Sequence, residues 1–122
     1  MDEKKKVVII ISRGFDDERA SVAWSVANGA LNNGLELTIF LVSSGIDWVR
    51  KGAAEGAHLN PHDPTMKQMI DNVFAAGCKV YACPPCAKSR MYTEADFIDG
   101  VEIQGSTVVH QAILAGAETI SF

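Results

Sequence analysis

Val7-Val8-Ile9-Ile10-Ile11, running into Ser12-Arg13-Gly14-Phe15-Asp16-Asp17, is the stretch that decides the fold. A β-branched run with no polar face belongs to a strand covered on both sides, the signature of a parallel sheet. The Ser-Arg-Gly turn leaves that strand, and Asp16 or Asp17 is placed to N-cap a helix whose positive end its charge complements. The helix is predicted to run to about Asn33, with Gly34 as its left-handed stop. Ala20, Ala23, Trp24, Ala27 and Leu31 form its inner stripe, and Val22, Val26 and Ala30 a second one. Nothing from Ala20 to Gly34 is charged, and a helix apolar nearly all round is buried nearly all round.

The same alternation repeats downstream. Leu35–Val42 reads as the second strand, followed by a short helical piece over Ile46–Lys51 and an irregular Gly/Ala/Pro-rich loop over Gly52–Asp63. Asp63-Pro64 has the form of an N-cap followed by a first-turn proline. Met66, Met69, Ile70, Val73 and Phe74 then give one clean apolar face before Gly77. Cys78–Ala82 is a third strand, with a short helix from Pro84 to about Arg90 and a helical turn at Thr93–Asp96. Val101–Ile103 is a fourth strand, Ser106–Ala115 a last helix capped by Ser106, and Glu118–Phe122 a fifth strand. Strands alternating with helices predict one α/β domain over residues 1–122, a three-layer α/β/α arrangement around a five-stranded parallel sheet.

Composition narrows the function classes. The chain has 122 residues, 48% hydrophobic and 21% charged, with a net charge of −4, which fits a folded domain and argues against a nucleic-acid partner. No apolar run has the roughly 18 residues a membrane span needs. The N-terminus, Met1-Asp2-Glu3-Lys4-Lys5-Lys6 and a short apolar run, is not a signal peptide. A cytoplasmic location is expected, and in a reducing compartment three cysteines point to reactive or metal-binding thiols rather than a structural staple.

Cys83-Pro84-Pro85-Cys86 carries the chemistry. Ligands and reactive groups gather at the carboxyl ends of strands in open α/β sheets, and Cys83 follows a strand while Pro84-Pro85 suits the first turn of a helix. A thiol at a helix start is expected to have a lowered pKa, with Cys86 one turn away on the same face. Cys78 points to the opposite face from Cys83 and is assigned to the core. Arg13, Lys88 and Arg90 are candidates for stabilising an anionic sulfur. A thioredoxin fold is set aside, because its motif follows an early strand and no proline comes after Pro85. Zinc would need His58 and His62 with the two cysteines, in the reverse of the finger order, and no metal is assigned. Neither GxxxxGK[ST] nor GxGxxG follows the first strand, so no nucleotide site is signalled and no cofactor is expected. His110 lies mid-helix among apolar residues and reads as a core or interface side chain.

From Lys6 to Phe122 the chain resembles the DsrE/DsrF-like family, which includes sulfur-relay proteins of the TusD kind. The resemblance rests on the VVIII strand with its Ala-rich helix ending in Gly34, on LTIFLV, on AAGCKVYACPPCAKSRMYTEADFIDGVEIQG, and on the closing AGAETISF. It implies a three-layer α/β/α fold, homo-oligomers (dimers, trimers or hexamers), and a cysteine that accepts sulfane sulfur as a persulfide and passes it on. That cysteine matches Cys83. Cys86 matches no cysteine of the TusD-like members, and Met91 stands where the family often has glycine.

The reading that follows is a sulfur-transfer protein, a sulfurtransferase or carrier, with sulfur donor and acceptor proteins as partners. The alternatives are a peroxiredoxin-like thiol redox protein using Cys83 and Cys86, and a non-catalytic oligomeric subunit of a sulfur-relay complex. Two nearly charge-free helices, Ala20–Asn33 and Ser106–Ala115, on so small a domain predict assembly, since exposed they would form sizeable apolar patches.

Overall fold

The computed structural model describes residues 4–122; Met1, Asp2 and Glu3, and with them the start of the N-terminal segment weighed above, lie outside the described residues. Five strands, β1 (Lys6–Ile11), β2 (Glu36–Leu41), β3 (Lys79–Ala82), β4 (Val101–Ile103) and β5 (Glu118–Ser121), form one sheet in the order β4-β3-β2-β1-β5. Every pairing is parallel. The helices are α1 (Arg19–Asn32), α2 (Met66–Ala75), α3 (Pro84–Ser89) and α4 (Thr107–Leu114), with 3₁₀ turns at Ser43–Val49 and Glu94–Asp96. The expected α/β sheet with helices on both faces is the architecture found.

Strand order explains how the faces are filled. From β1 to β4 each strand is laid beside the last in one direction, so right-handed crossovers put their helices on one face. Only the return from β4 to β5 runs the other way, and it brings α4 alone to the opposite face. The larger core accordingly lies on the α1/α2 side, where Val7, Ile9, Ile11, Ile39 and Leu41 meet Trp24, Trp48, Met66, Ile70 and Phe97. The smaller one joins Val8 and Phe40 to Val109 and Ala117.

The helix faces largely follow the periodicity. Ala20, Ala23, Trp24 and Ala27 of α1 are fully buried, as are Met66, Met69, Ile70 and Val73 of α2. Leu31 is half-buried, and Ala30, from the second stripe, is buried in its place. Gly34 adopts φ +76°, the expected left-handed stop of α1.

The caps differ from expectation. Residue 18, not an aspartate, occupies the N-cap of α1. Asp17 still accepts the Arg19 N–H (2.9 Å) and binds its guanidinium (2.8 Å to Nη2), and the Arg19 side-chain hydrogen bond chiefly holds the carboxyl down at about 2. At α2 the cap is Thr65, closed reciprocally with Gln68 in a capping box. Asp63 instead accepts from the buried Ser21 hydroxyl of α1 at 2.7 Å, which ties the 52–63 loop to the core. Ser106 sits at the start of α4 with helical backbone and makes no side-chain cap bond.

The two charge-free helices prove unequal. On α1 only Val22 of the second stripe is exposed. On α4 and the neighbouring edge strand, Ile113, Leu114 and Ile120 are all exposed, with Leu114 at 87%.

Candidate functional site

Parallel register brings four chain segments to one edge. Ile11 pairs with Leu41, Leu41 with Ala82 and Ala82 with Ile103, so Ser12, Val42, Cys83 and Gln104 leave the sheet side by side. The Cys83 N–H still donates to the Leu41 carbonyl at 3.0 Å, and the Gln104 N–H to that of Ala82 at 3.2 Å. Cys83 is therefore the last ladder residue of β3, with extended backbone (φ −60°, ψ 127°), and Pro84-Pro85 opens α3 directly behind it. Proline fits there because the first helical turn needs no backbone donor from those residues.

All three cysteines are free and half-buried. Cys83 packs against the smaller core on the α4 side, whereas Cys86 and Cys78 pack against the larger one. Cys78 precedes β3 at the far end of the sheet, facing away from Cys83 as expected, though half-buried rather than fully enclosed. Burial raises its thiol pKa.

Cys86, in the first turn of α3, is near enough for its thiol and N–H to act on Cys83, without closing a side-chain cap on the helix. Cys86 Sγ in turn accepts the Ser43 N–H at 3.1 Å. Ser43 has φ +51°, a left-handed conformation that costs a non-glycine residue about 1–3 kcal/mol. It is held by its surroundings: a Cβ on Gly45 would fall 2.1 Å from the Ile11 carbonyl oxygen, and one on Gly14 would meet Ser44 Cβ at 2.7 Å. The turns after β1 and β2 are thus interlocked backbone to backbone beside Cys86.

A lowered pKa was expected for Cys83, and the structure reverses that. Burial is the main influence and raises its pKa, and the Cys86 thiol adds to the effect; the Cys86 N–H and the Arg90 charge only partly oppose it. The sheet neighbours Phe40, Val42 and Tyr81 flank this thiol, and a short α3 does not outweigh them.

Of the three candidate cations, Arg90 is the one that acts on Cys83, its guanidinium donating to the Cys86 carbonyl at 3.2 Å. Lys88 is on the exposed side of α3. Arg13 turns back to Asp17, at 3.5 Å, and its carbonyl accepts the Trp48 indole N–H at 2.9 Å. His58 and His62 sit in the 52–63 loop, where His58 Nε2 bonds the Asp63 carbonyl, and His110 is exposed on α4.

Sequence spacing gave no sign of the brace behind α3. Tyr92 donates its hydroxyl to Asp47 at 2.7 Å, takes a backbone bond to the Ala87 carbonyl, and lies under the Arg50 guanidinium at 4.8 Å. The Asp47 bond is the main reason the phenol pKa is raised. Met91, between this brace and Arg90, has φ +61° and is 88% exposed, so the chain makes with methionine the left-handed turn for which glycine is suited. Met91→Gly is expected to stabilise the fold by about 1 kcal/mol, since little packing is lost and the strain is relieved; an unchanged or lower urea midpoint would contradict this.

Two relatives are uncharacterized proteins. One, from Methanopyrus kandleri, is 36% identical over 97 residues, covering 79% of this chain and 75% of its own. Another, from Methanocaldococcus jannaschii, is 33% identical over 100 residues, covering 81% and 82%. Among solved structures, the ychN protein of E. coli superposes with a TM-score of 0.78 at 21% identity, over 98% of this chain and all of its own. A protein of unknown function from Methanobacterium thermoautotrophicum gives 0.71 at 16%, with the same coverage. These likenesses establish the fold. Residues 4–122 match the DsrE/DsrF-like family along their whole length, and the chain belongs to that family.

Proposed function

We propose that this protein is a sulfur carrier whose Cys83 accepts sulfane sulfur as a persulfide and hands it to an acceptor thiol. The observation that carries the reading is a half-exposed free thiol ending a central strand of the family fold, beside Cys86 and Arg90. In the loading step Cys83 thiolate attacks the outer sulfur of a donor, forming Cys83–S–S⁻ while the donor leaves as its anion. In the unloading step an acceptor thiolate takes that outer sulfur and returns Cys83 as thiolate. Arg90 supplies positive charge near the anionic forms, a role proposed for neither Arg13 nor Lys88 given their placement. The sulfur rides on the protein's own side chain, so the cycle calls for no cofactor or metal. Donor and acceptor proteins are its expected partners, and a reducing, cytoplasmic setting keeps the thiols available. No helix among the described residues is long and apolar enough to cross a membrane.

Mass spectrometry of the Cys86→Ser variant after treatment with a thiosulfonate donor is expected to show one extra sulfur on Cys83, lost when Cys83 is also replaced by serine. Absence of the adduct in that variant, or its survival without Cys83, would refute the assignment. Because the thiol pKa is raised above its ordinary 9.0, the thiolate fraction and the loading rate should keep rising as pH passes 9 rather than levelling off near neutrality.

The closeness of Cys86 to Cys83 favours a second reading, a thiol redox protein cycling through a Cys83–Cys86 disulfide. It predicts peroxide turnover with a thiol reductant, lost in either Cys→Ser variant, and no sulfur adduct.

Assembly into homo-oligomers is proposed to run through α4, where Ile113 and Leu114 are exposed on the thinly covered side. Leu114→Asp should shift the mass seen by light scattering toward one subunit. A wild-type protein already monomeric would overturn the proposal.

A further inference from the structure

The Cys83–Cys86 pair has a feature that simple carriage of sulfur does not use. Cys86 is not a bystander on the helix surface: its sulfur is fixed by the Ser43 N–H at 3.1 Å, and it lies in the first turn of α3, three residues after Cys83 and near enough to act on it. The donor is costly to keep, since Ser43 is left-handed and is held by a turn in which neither Gly14 nor Gly45 has room for a side chain. The Arg90 bond to the Cys86 carbonyl fixes the same turn of α3 from the other side. The Cys86 sulfur is thereby held in place one helical turn from Cys83.

We infer that Cys86 attacks the loaded Cys83 and discharges its sulfur as sulfide. Resting on the carrier reading above, the step is Cys86–S⁻ + Cys83–S–SH → Cys83–S–S–Cys86 + HS⁻. The bond between the inner and outer sulfurs breaks and the Cys83–Cys86 bond forms. The outer sulfur leaves with the electron pair, reduced to sulfide, while the two cysteine sulfurs are oxidised to a disulfide. An external dithiol reductant resets the pair by thiol–disulfide exchange through a mixed disulfide. The protein then has two outlets: sulfane sulfur when an acceptor thiol arrives first, and sulfide when none does.

The test uses the reduced full chain, a thiosulfonate donor whose leaving group is a sulfinate, and no acceptor thiol. Wild type should release close to one sulfide per chain, trapped with a bimane, and end as the Cys83–Cys86 disulfide. Cys86→Ser should retain the extra sulfur on Cys83, with an adduct lifetime longer by about a hundredfold or more, because the removed thiol acts at high effective concentration. Cys86→Ala, should the serine variant misfold, reports the same lifetime. A wild-type adduct as long-lived as that of Cys86→Ser overturns sulfide release and leaves the carrier reading standing. An adduct on Cys86 in Cys83→Ser overturns the assignment of roles. Absence of both adduct and sulfide in every form overturns the carrier reading itself.

Discussion

Gly45→Ala should destabilise the protein by about 3 kcal/mol or more, the largest effect expected of any single methyl group added to it. The added Cβ would stand 2.1 Å from the Ile11 carbonyl oxygen and 2.9 Å from its carbon. Neither is the end of a flexible side chain: that carbonyl closes β1 and accepts the Val42 N–H at 3.0 Å. Relief therefore means prising β1 from β2 at their carboxyl ends or lifting the 3₁₀ turn that carries Ser43. Gly29→Ala is the control, because its Cβ meets nothing within 4 Å and lies inside α1, where alanine is favoured by about 0.5–1 kcal/mol. Urea unfolding of both variants decides the matter. A Gly45→Ala midpoint near that of wild type would show that the interlock yields easily and does not fix the turn beside Cys86.

Trp48→Ala should cost about 3–5 kcal/mol. The side chain is wholly buried, meets Phe15 edge to face with ring centroids 4.5 Å apart, and donates its indole N–H to the Arg13 carbonyl. The effect is more than a cavity: Trp48 is what pins the β1 turn, and Arg13 with it, over the 3₁₀ segment. Trp48→Phe keeps most of the packing and loses the hydrogen bond, and should cost about 1–2 kcal/mol. Hydrogen exchange across residues 12–17 should quicken in Trp48→Ala beyond what global destabilisation explains. Unchanged local protection would mean that the turn is held by other contacts.

The uneven value of local signals shows in these same residues. The β-branched run at Val7–Ile11 and the Met66–Phe74 face declared strand and helix because each periodicity is read within one element. The cap of α2 lies two residues beyond Asp63, since Asp63-Pro64 and Thr65…Gln68 are both valid starts and only the Ser21 hydroxyl, 42 residues away from Asp63, chooses between them. Cys83 was legible because a strand ending in Cys-Pro-Pro defines its own position. Its raised pKa was not, because the side chains that bury it come from other strands. The Ser43–Cys86 bond spans 43 residues and the Tyr92–Asp47 bond 45, both distances that only the register of the sheet brings together. Arg13 is a candidate in the sequence for a different, local reason: its partner, Asp17, only four residues on, reads there as a helix cap.

The placement of β5 beside β1 has a consequence for how the chain folds. β1 is central, yet one of its two ladders waits for a strand whose contact with Ser12 spans 110 residues. Closing so long a loop is entropically slow, so contacts near in sequence form before it. The β1-α1-β2 unit and α2 should gain protection first in pulse-labelled refolding, with α4 and β5 docking last. Until that step the β1 edge is bare, and a second refolding chain can pair with it. Refolding yield should therefore fall as protein concentration rises, even where the finished sheet is stable.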